Sequence, residues 1–288
     1  GVDVARDEQE TILESLGFKI TGADKDIWAV EPPPWRGDIC GKADIVEEVL
    51  RIHGFETIPF TSVRNENAVT RPAETLSGSR ARAARAALAS RGLEECVTWA
   101  FMQGAYTALF GVNDNRRKAL TLLNPINAEL DVMRPSPLAN LIAAGGRNTD
   151  KGYPNNALFE VGPGYESGKP DGQMLIAAGV RAGHAGRRHW DGPHASRNVD
   201  AYDAKADALY ALEACGAPVQ SLQIGRDAPD WYHPGRSGTL KLGQSVIACF
   251  GEIHPLVLEE MDVKGPVAGF ELFLDRIPEP RRKGTGKA

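Results

Sequence analysis

Four carboxylate side chains stand within eleven residues near the start of this 288-residue chain: Asp38, Asp44, Glu47 and Glu48. If residues 44–52 form a helix, Asp44, Glu47 and Glu48 share one face, because positions i, i+3 and i+4 are neighbours on a helix surface. Like charges this close repel one another unless a cation lies among them. Carboxylates are hard oxygen ligands, which Mg²⁺ accepts while keeping some of its water.

The same residues also fit a solvated helix face. In that interpretation Glu47 pairs with Arg51 at i+4, and Asp38 caps the helix or bonds to the backbone. Charge runs on helices are usually solvated surface. The spacing alone therefore leaves both interpretations open.

The elements that position these carboxylates follow from the apolar pattern. Apolar residues on the other side of the segment 44–52 predict an amphipathic helix, and Gly54 stands where a helix C-cap belongs. A helix over 7–16, short strands over 18–20 and 27–30, and an extended triple proline complete a compact unit.

Longer elements follow in the rest of the chain. Helices are predicted near residues 79–91, 136–147, 201–215 and 255–261. Strands are predicted near residues 95–101, 120–123, 157–161, 175–180, 239–242, 246–251 and 267–274. Because these strands lack regular βαβ spacing, we predict an α+β domain on a largely antiparallel sheet with flanking helices.

We expect a first domain over residues 1–63, a linker over 64–76, a second domain over 77–277 and a truncated linker or tail over 278–288. Residues 1–75 carry 8 basic and 15 acidic side chains, a net charge of −7. Such a segment is a poor general binder of phosphate backbones.

Composition excludes several protein classes. The chain is 42% hydrophobic, and no apolar run approaches the roughly eighteen residues that span a bilayer. The first residues lack the basic start and apolar core of a signal peptide. The four isolated cysteines indicate reduced thiols, so we expect a cytoplasmic protein without membrane contact.

Other candidate sites are weaker. His184, His189 and His194 lack zinc-site spacing and lie in a glycine-rich segment, which favours a loop. Arginines in that loop could touch RNA phosphates, but a surface loop is the simpler interpretation: they are Arg187, Arg188 and Arg197. Four more could form a basic stripe for nucleic acid or could solubilise an alanine-rich helix: they are Arg80, Arg82, Arg85 and Arg91. We interpret His254 as a packed or turn histidine, because no nucleophile signature accompanies it.

The carboxylate segment resembles a family signature. Its motifs are Pro34-Trp35-Arg36-Gly37-Asp38-Ile39, Asp44-Ile45-Val46-Glu47-Glu48-Val49 and Arg51-Ile52-His53-Gly54-Phe55. In this order they resemble the B5 domain of bacterial phenylalanyl-tRNA synthetase beta subunits.

Seven further motifs resemble the catalytic-like module of the same subunit, in the same order. They run from Arg80 to Phe101, from Leu123-Asn124-Pro125 to Met133-Arg134-Pro135-Ser136, and through Phe159-Glu160-Val161-Gly162, Asp200 to Lys205, His233-Pro234-Gly235-Arg236-Ser237, Phe250-Gly251-Glu252-Ile253-His254-Pro255 and Phe270-Glu271-Leu272. One position departs from the pattern, because Ala201 stands where an aromatic residue is usual.

The resemblance implies a winged-helix-like B5 domain followed by a catalytically inactive module with the class II aminoacyl-tRNA synthetase fold. It also implies a Mg²⁺ site shared with the alpha subunit, whose ligands match Asp38, Asp44, Glu47 and Glu48. Arg134 and Arg236 lie in matched motifs and are expected at the subunit interface or on RNA.

In that family the alpha subunit binds ATP, and two alpha and two beta chains form a heterotetramer that charges tRNA with phenylalanine. This chain resembles an internal fragment of the beta subunit, and no catalytic residue is expected in it. No Gly-x-Gly-x-x-Arg motif follows a strand. Two alternatives stay open: a self-sufficient class II ATP-dependent ligase and a stand-alone nucleic-acid-binding module.

Overall fold

The computed structural model describes residues 1–23, 27–62, 72–186 and 197–279. The chain divides into two compact units, unit 1 (Gly1–Arg71) and unit 2 (Pro72–Ala288). Each unit has a hydrophobic core of its own.

Unit 1 contains two helices and a two-stranded antiparallel sheet in its described part. Its elements are α1 (Arg6–Ser15), β1 (Lys19–Ala23), β2 (Trp28–Glu31), α2 (Lys42–His53) and a 3₁₀ turn (Phe55–Thr57). Five residues from the N-terminal segment, α1, the turn after it and α2 form the core: Val4, Ile12, Leu13, Phe18 and Val49. The predicted helices and strands are present, but the winged-helix detail is not confirmed.

In its described residues, unit 2 is built on a sheet of seven strands with the order β3-β6-β7-β11-β10-β9-β8. These strands are β3 (Glu94–Glu95), β6 (Asn156–Tyr165), β7 (Gln173–Ala182), β8 (Gln223–Gly225), β9 (Tyr232–Leu242), β10 (Ser245–Ile253) and β11 (Val267–Phe273). Every pairing in this sheet is antiparallel except that of β3 with β6. The largely antiparallel α+β architecture predicted from the sequence is confirmed.

Helices cover both faces of this sheet. The helices of unit 2 are α3 (Leu76–Ser90), α4 (Asp114–Leu120), α5 (Leu138–Asp150), α6 (Ala201–Ala214) and α7 (Pro255–Glu260). One core cluster joins α3 and α6 to alternate strand residues such as Phe159 and Phe270. A second cluster joins α5 and α7 to the intervening residues of the same strands, such as Leu158 and Ile176. Because successive residues of a strand face opposite sides, the two clusters lie on opposite faces.

Two strand predictions are wrong in detail. Residues 120–123 do not form a strand, because α4 ends at Leu120 and only Thr121 is bridged to Val132. The strand predicted over 95–101 is present only at its ends, as β3 and β4 (Phe101–Met102). The short strand β4 pairs with β5 (Val132–Met133) outside the main sheet.

The linker predicted over 64–76 falls partly on residues 63–71, which lie outside the described residues. Its last residue, Leu76, already belongs to α3, whose N-cap Thr75 accepts a hydrogen bond from the Gly78 N–H. Within the described parts of the chain, no helix is both long and apolar enough to cross a bilayer.

Candidate functional site

The guanidinium of Arg36 lies between two of the predicted ligands in unit 1. Its Nε and Nη2 donate to the two carboxylate oxygens of Asp38, at 2.9 and 2.7 Å. Its Nη1 and Nη2 donate to the two oxygens of Glu48, both at 2.9 Å. Arg51 adds a bond from Nη2 to Glu48 at 2.7 Å. The structure thus brings Asp38 and Glu48 together around an arginine.

These bonds keep both carboxylates charged. Hydrogen bonds from Arg36 lower the pKa of Asp38 to about 2. Hydrogen bonds from Arg36 and Arg51 lower the pKa of Glu48 to about 2, against the opposing effect of burial. The Glu48 side chain is only 8% exposed, whereas that of Asp38 is 64% exposed. Glu48 is therefore the anchored partner on α2, and Asp38 reaches Arg36 from the surface of the loop.

The other two predicted ligands, Asp44 and Glu47, lie in different surroundings. The Asp44 Oδ2 accepts the backbone N–H groups of Cys40 and Gly41, both at 2.8 Å. Asp44 thereby satisfies N–H groups at the start of α2, where a negative charge also stabilises the helix. Glu47 is exposed. Among the described residues there is no group of three or more His, Cys, Asp or Glu side chains that could hold a metal ion. As placed in this chain, the four carboxylates do not fit one Mg²⁺ ion.

Arg134 is buried in unit 2. Its Nη2 donates to Glu160 at 2.7 Å, and the two side chains are 1% and 6% exposed. Its remaining groups donate to the Thr98 hydroxyl at 2.7 Å and to the carbonyls of Trp99 and Pro163. The Thr98 hydroxyl in turn donates to Glu160 at 2.6 Å. Arg134 is therefore not accessible to a partner in this conformation. Any effect of Arg134 on a partner would act through the loop that carries Thr98 and Trp99.

Arg236 is a surface residue. Its side chain is 50% exposed and pairs through Nε with Glu252 on the neighbouring strand β10. It remains accessible, so its predicted contact with a partner stays a prediction.

The four arginines on or after α3 do not form a stripe. Arg80 is 7% exposed and donates to the carbonyls of Leu274 and Pro278. The other three pair with carboxylates of this chain: Arg82 with Glu74, Arg85 with Glu95 and Arg91 with Asp207. This pairing favours a structural role for them over tRNA binding.

The predicted histidine loop lies mostly outside the described residues, which leave out His189, His194, Arg187 and Arg188. Arg197 pairs with Asp200 and Asp203 at the start of α6. His254 caps α7 and accepts the Leu256 N–H through Nδ1, which confirms the turn histidine.

Glu271 is a further buried carboxyl group of unit 2, whose burial the sequence reasoning did not predict. Glu271 on β11 is 2% exposed and accepts hydrogen bonds from the Trp231 indole and the Tyr232 hydroxyl, both at 3.0 Å. Burial raises the pKa of Glu271, against the effect of its hydrogen-bond donors. The signal for it was a single acidic residue in a continuous apolar strand, between Phe270 and Leu272.

Comparisons with known proteins agree on one family. Residues 1–55 match the model of the tRNA synthetase B5 domain, and residues 61–274 match that of the phenylalanyl tRNA synthetase beta chain CLM domain. Phenylalanine–tRNA ligase beta subunits from Paramagnetospirillum magneticum and Mesorhizobium japonicum are 50% and 49% identical over 99% of this chain. The chain spans 35% of the length of each of these relatives.

Solved structures show the same fold at low sequence identity. Two structures of pyrrolysyl-tRNA synthetase from Desulfitobacterium hafniense align with TM-scores of 0.51 and 0.53. They cover 69% and 72% of this chain, and the chain covers 64% and 68% of theirs, at 15% identity in both cases. This likeness shows the class II synthetase fold. The matches of much higher identity over nearly the whole chain show that this chain belongs to the phenylalanine–tRNA ligase beta-subunit family.

Proposed function

We propose that this chain is the part of a phenylalanine–tRNA ligase beta subunit that supports the catalytic alpha subunit. The assembled enzyme, with two alpha and two beta chains, would charge tRNA with phenylalanine at the expense of ATP. The complex would use ATP and Mg²⁺, and the ATP would bind to the alpha subunit. Family membership over nearly the whole chain supports this proposal.

A non-catalytic role for unit 2 is supported by the burial of its central sheet on both faces. The middle residues of β6, β7, β10 and β11 are buried without alternation. Such continuous burial is typical of a sheet covered on both sides. An adenylate-forming site instead needs an open face with cations held ready for phosphates. In unit 2 the buried Arg134 is already paired with Glu160 of β6.

The buried ion pair also suggests where a partner binds. Arg134 and Glu160 hold Thr98, and the residues on either side of it, Val97 and Trp99, are 93% and 61% exposed. The Asn140 side chain fixes the same loop by donating to the carbonyls of Trp99 and Phe101. An exposed tryptophan on a rigid support has the character of an interface hot spot. We therefore place a contact with the alpha subunit at this loop.

Reconstitution tests the proposal. The full-length chain and the alpha subunit are purified separately, and complex formation is followed by native mass spectrometry. A stable complex of both chains, with tRNA charging only in the mixture, is expected. Failure of the two chains to associate would contradict the supporting role.

A further inference from the structure

Asp38 and Glu48 already have a cation between them. Arg36 makes four charge-assisted hydrogen bonds of 2.7–2.9 Å, two to each carboxylate. A guanidinium presents its N–H groups in a rigid planar fork, so bidentate bonds of this kind are strong and directional. The position in which a divalent ion would join these two residues is thus held by a side chain of the chain itself.

The charges of this group balance. Arg36 and Arg51 carry two positive charges, and Asp38 and Glu48 carry two negative ones. Mg²⁺ requires oxygen ligands in near-octahedral geometry at roughly 2.0–2.1 Å. Both carboxylates would have to release Arg36 before they could coordinate Mg²⁺ in this geometry. The Arg36 guanidinium would then lie beside a second cation.

The two remaining carboxylates, Asp44 and Glu47, do not replace Asp38 and Glu48 as Mg²⁺ ligands. Asp44 accepts two backbone N–H groups at the start of α2, so a metal would compete with the cap of the helix. Glu47 is exposed, and a single exposed carboxylate is a weak ligand set for a divalent ion.

Arg36 also links separate parts of unit 1. Its backbone N–H donates to the Pro33 carbonyl at 2.9 Å, which closes a turn. Within this turn the Trp35 ring lies against Gly17, where a Cβ would come within 3.2 Å of the ring and φ is +85°. From the turn, the Arg36 side chain reaches Glu48, twelve residues further along the chain and buried on α2. One side chain therefore fixes the loop that follows β2 against α2.

We propose that Arg36 is the structural cation of unit 1: it binds Asp38 within the loop of residues 33–41 and clamps this loop to α2 through Glu48, in the place where the family resemblance implies Mg²⁺. The carboxylate cluster is then a positioning device, and the shape of this loop does not depend on a divalent ion.

Hydrogen–deuterium exchange, read by mass spectrometry on peptides from residues 33–53, tests the clamp in the full-length chain, alone and with its alpha subunit. In the parent protein, exchange is expected to be the same with MgCl₂ as with EDTA at equal ionic strength. Arg36→Met should speed exchange in these peptides about tenfold, because the loop loses its link to α2. Added Mg²⁺ should slow exchange in this variant, since Asp38 loses its arginine partner and Glu48 keeps only Arg51.

Two variants serve as controls. Arg36→Lys keeps the charge but lacks the fork, so it should restore only part of the protection. Arg82→Met breaks the exposed pair with Glu74 in unit 2 and should leave these peptides unchanged. If Arg36→Met does not fold, Glu48→Gln replaces it, because it removes the charge that holds Arg36 on α2. Exchange over residues 33–41 should then rise by a smaller factor.

The proposal is overturned if Mg²⁺ slows exchange in the parent protein and Glu48→Gln abolishes that effect. It is also overturned if Arg36→Met, or its substitute Glu48→Gln, exchanges like the parent.

Discussion

Arg134 and Glu160 form an ion pair at 2.7 Å inside unit 2, with side chains that are 1% and 6% exposed. Thr98 bonds to both members, so the pair fixes a loop that presents Trp99 to solvent. This relationship links the interior of unit 2 to the surface at which we place a partner.

Breaking this pair should strongly destabilise unit 2. Glu160→Gln leaves the Arg134 guanidinium buried without its counter-charge, which typically costs on the order of 3–5 kcal/mol. The free energy of unfolding, measured with urea, checks this. Arg82→Met is the matched control, because exposed pairs contribute roughly 0–1 kcal/mol. Equal losses of unfolding free energy in the two variants would show that burial does not increase the contribution of the Arg134–Glu160 pair to stability.

Glu271→Gln should stabilise the chain, and more so as the pH rises. Burial raises the pKa of Glu271 in the folded chain, so the folded state favours the neutral acid. The contribution of Glu271 to the free energy of unfolding is therefore most favourable below the unfolded pKa of about 4.3. It becomes less favourable as the pH rises toward the pKa that Glu271 has in the folded chain. An amide has no charge to bury and can still accept bonds from Trp231 and Tyr232.

Thermal unfolding from pH 4 upward checks this prediction, with the exposed Glu260→Gln as control. The melting temperature of the Glu271 variant should gain on the parent with rising pH, whereas the control should stay level with it. A gap that stays constant or narrows would mean that the Trp231 and Tyr232 donors hold Glu271 as a carboxylate.

Trp99→Ser should weaken association with the alpha subunit without changing stability. The side chain is 61% exposed in this chain, so its loss removes little packing. A tryptophan buried at an interface typically contributes about 2 kcal/mol or more, which is roughly a thirtyfold change in dissociation constant. Tyr153→Ser is the control, since Tyr153 is 69% exposed beyond the C-terminal end of α5. Equal affinities of the two variants would remove this loop from the interface.

The sequence predicted the elements with strong local patterns. Residues 267–274 are apolar except for Gly269 and Glu271, and Val267–Phe273 form a strand that is buried on both faces. The helix predicted over 201–215 begins at Ala201, directly after its N-cap Asp200, whose side chain accepts the N–H groups of Tyr202 and Asp203. In both segments the information is local, because neighbouring residues decide the conformation.

The site residues were harder to place because their partners are distant. Glu48, not Glu47, pairs with Arg51, and this choice depends on how the loop places Arg36 over α2. Nothing near Arg134 in the sequence shows that it is buried, since its partner Glu160 is 26 residues away. The segment 95–101 has strand propensity, yet Thr98 bonds to side chains where a strand partner would be. Tertiary contacts override local preference at these positions.

Phenylalanine-dependent ATP–pyrophosphate exchange tests the central claim most directly, with the full-length chain alone and then mixed with purified alpha subunit. We predict no exchange from the lone chain, and exchange that appears or rises in the mixture, because unit 2 supports a site that another subunit carries. Exchange by the lone chain would contradict this account and would make unit 2 a catalyst.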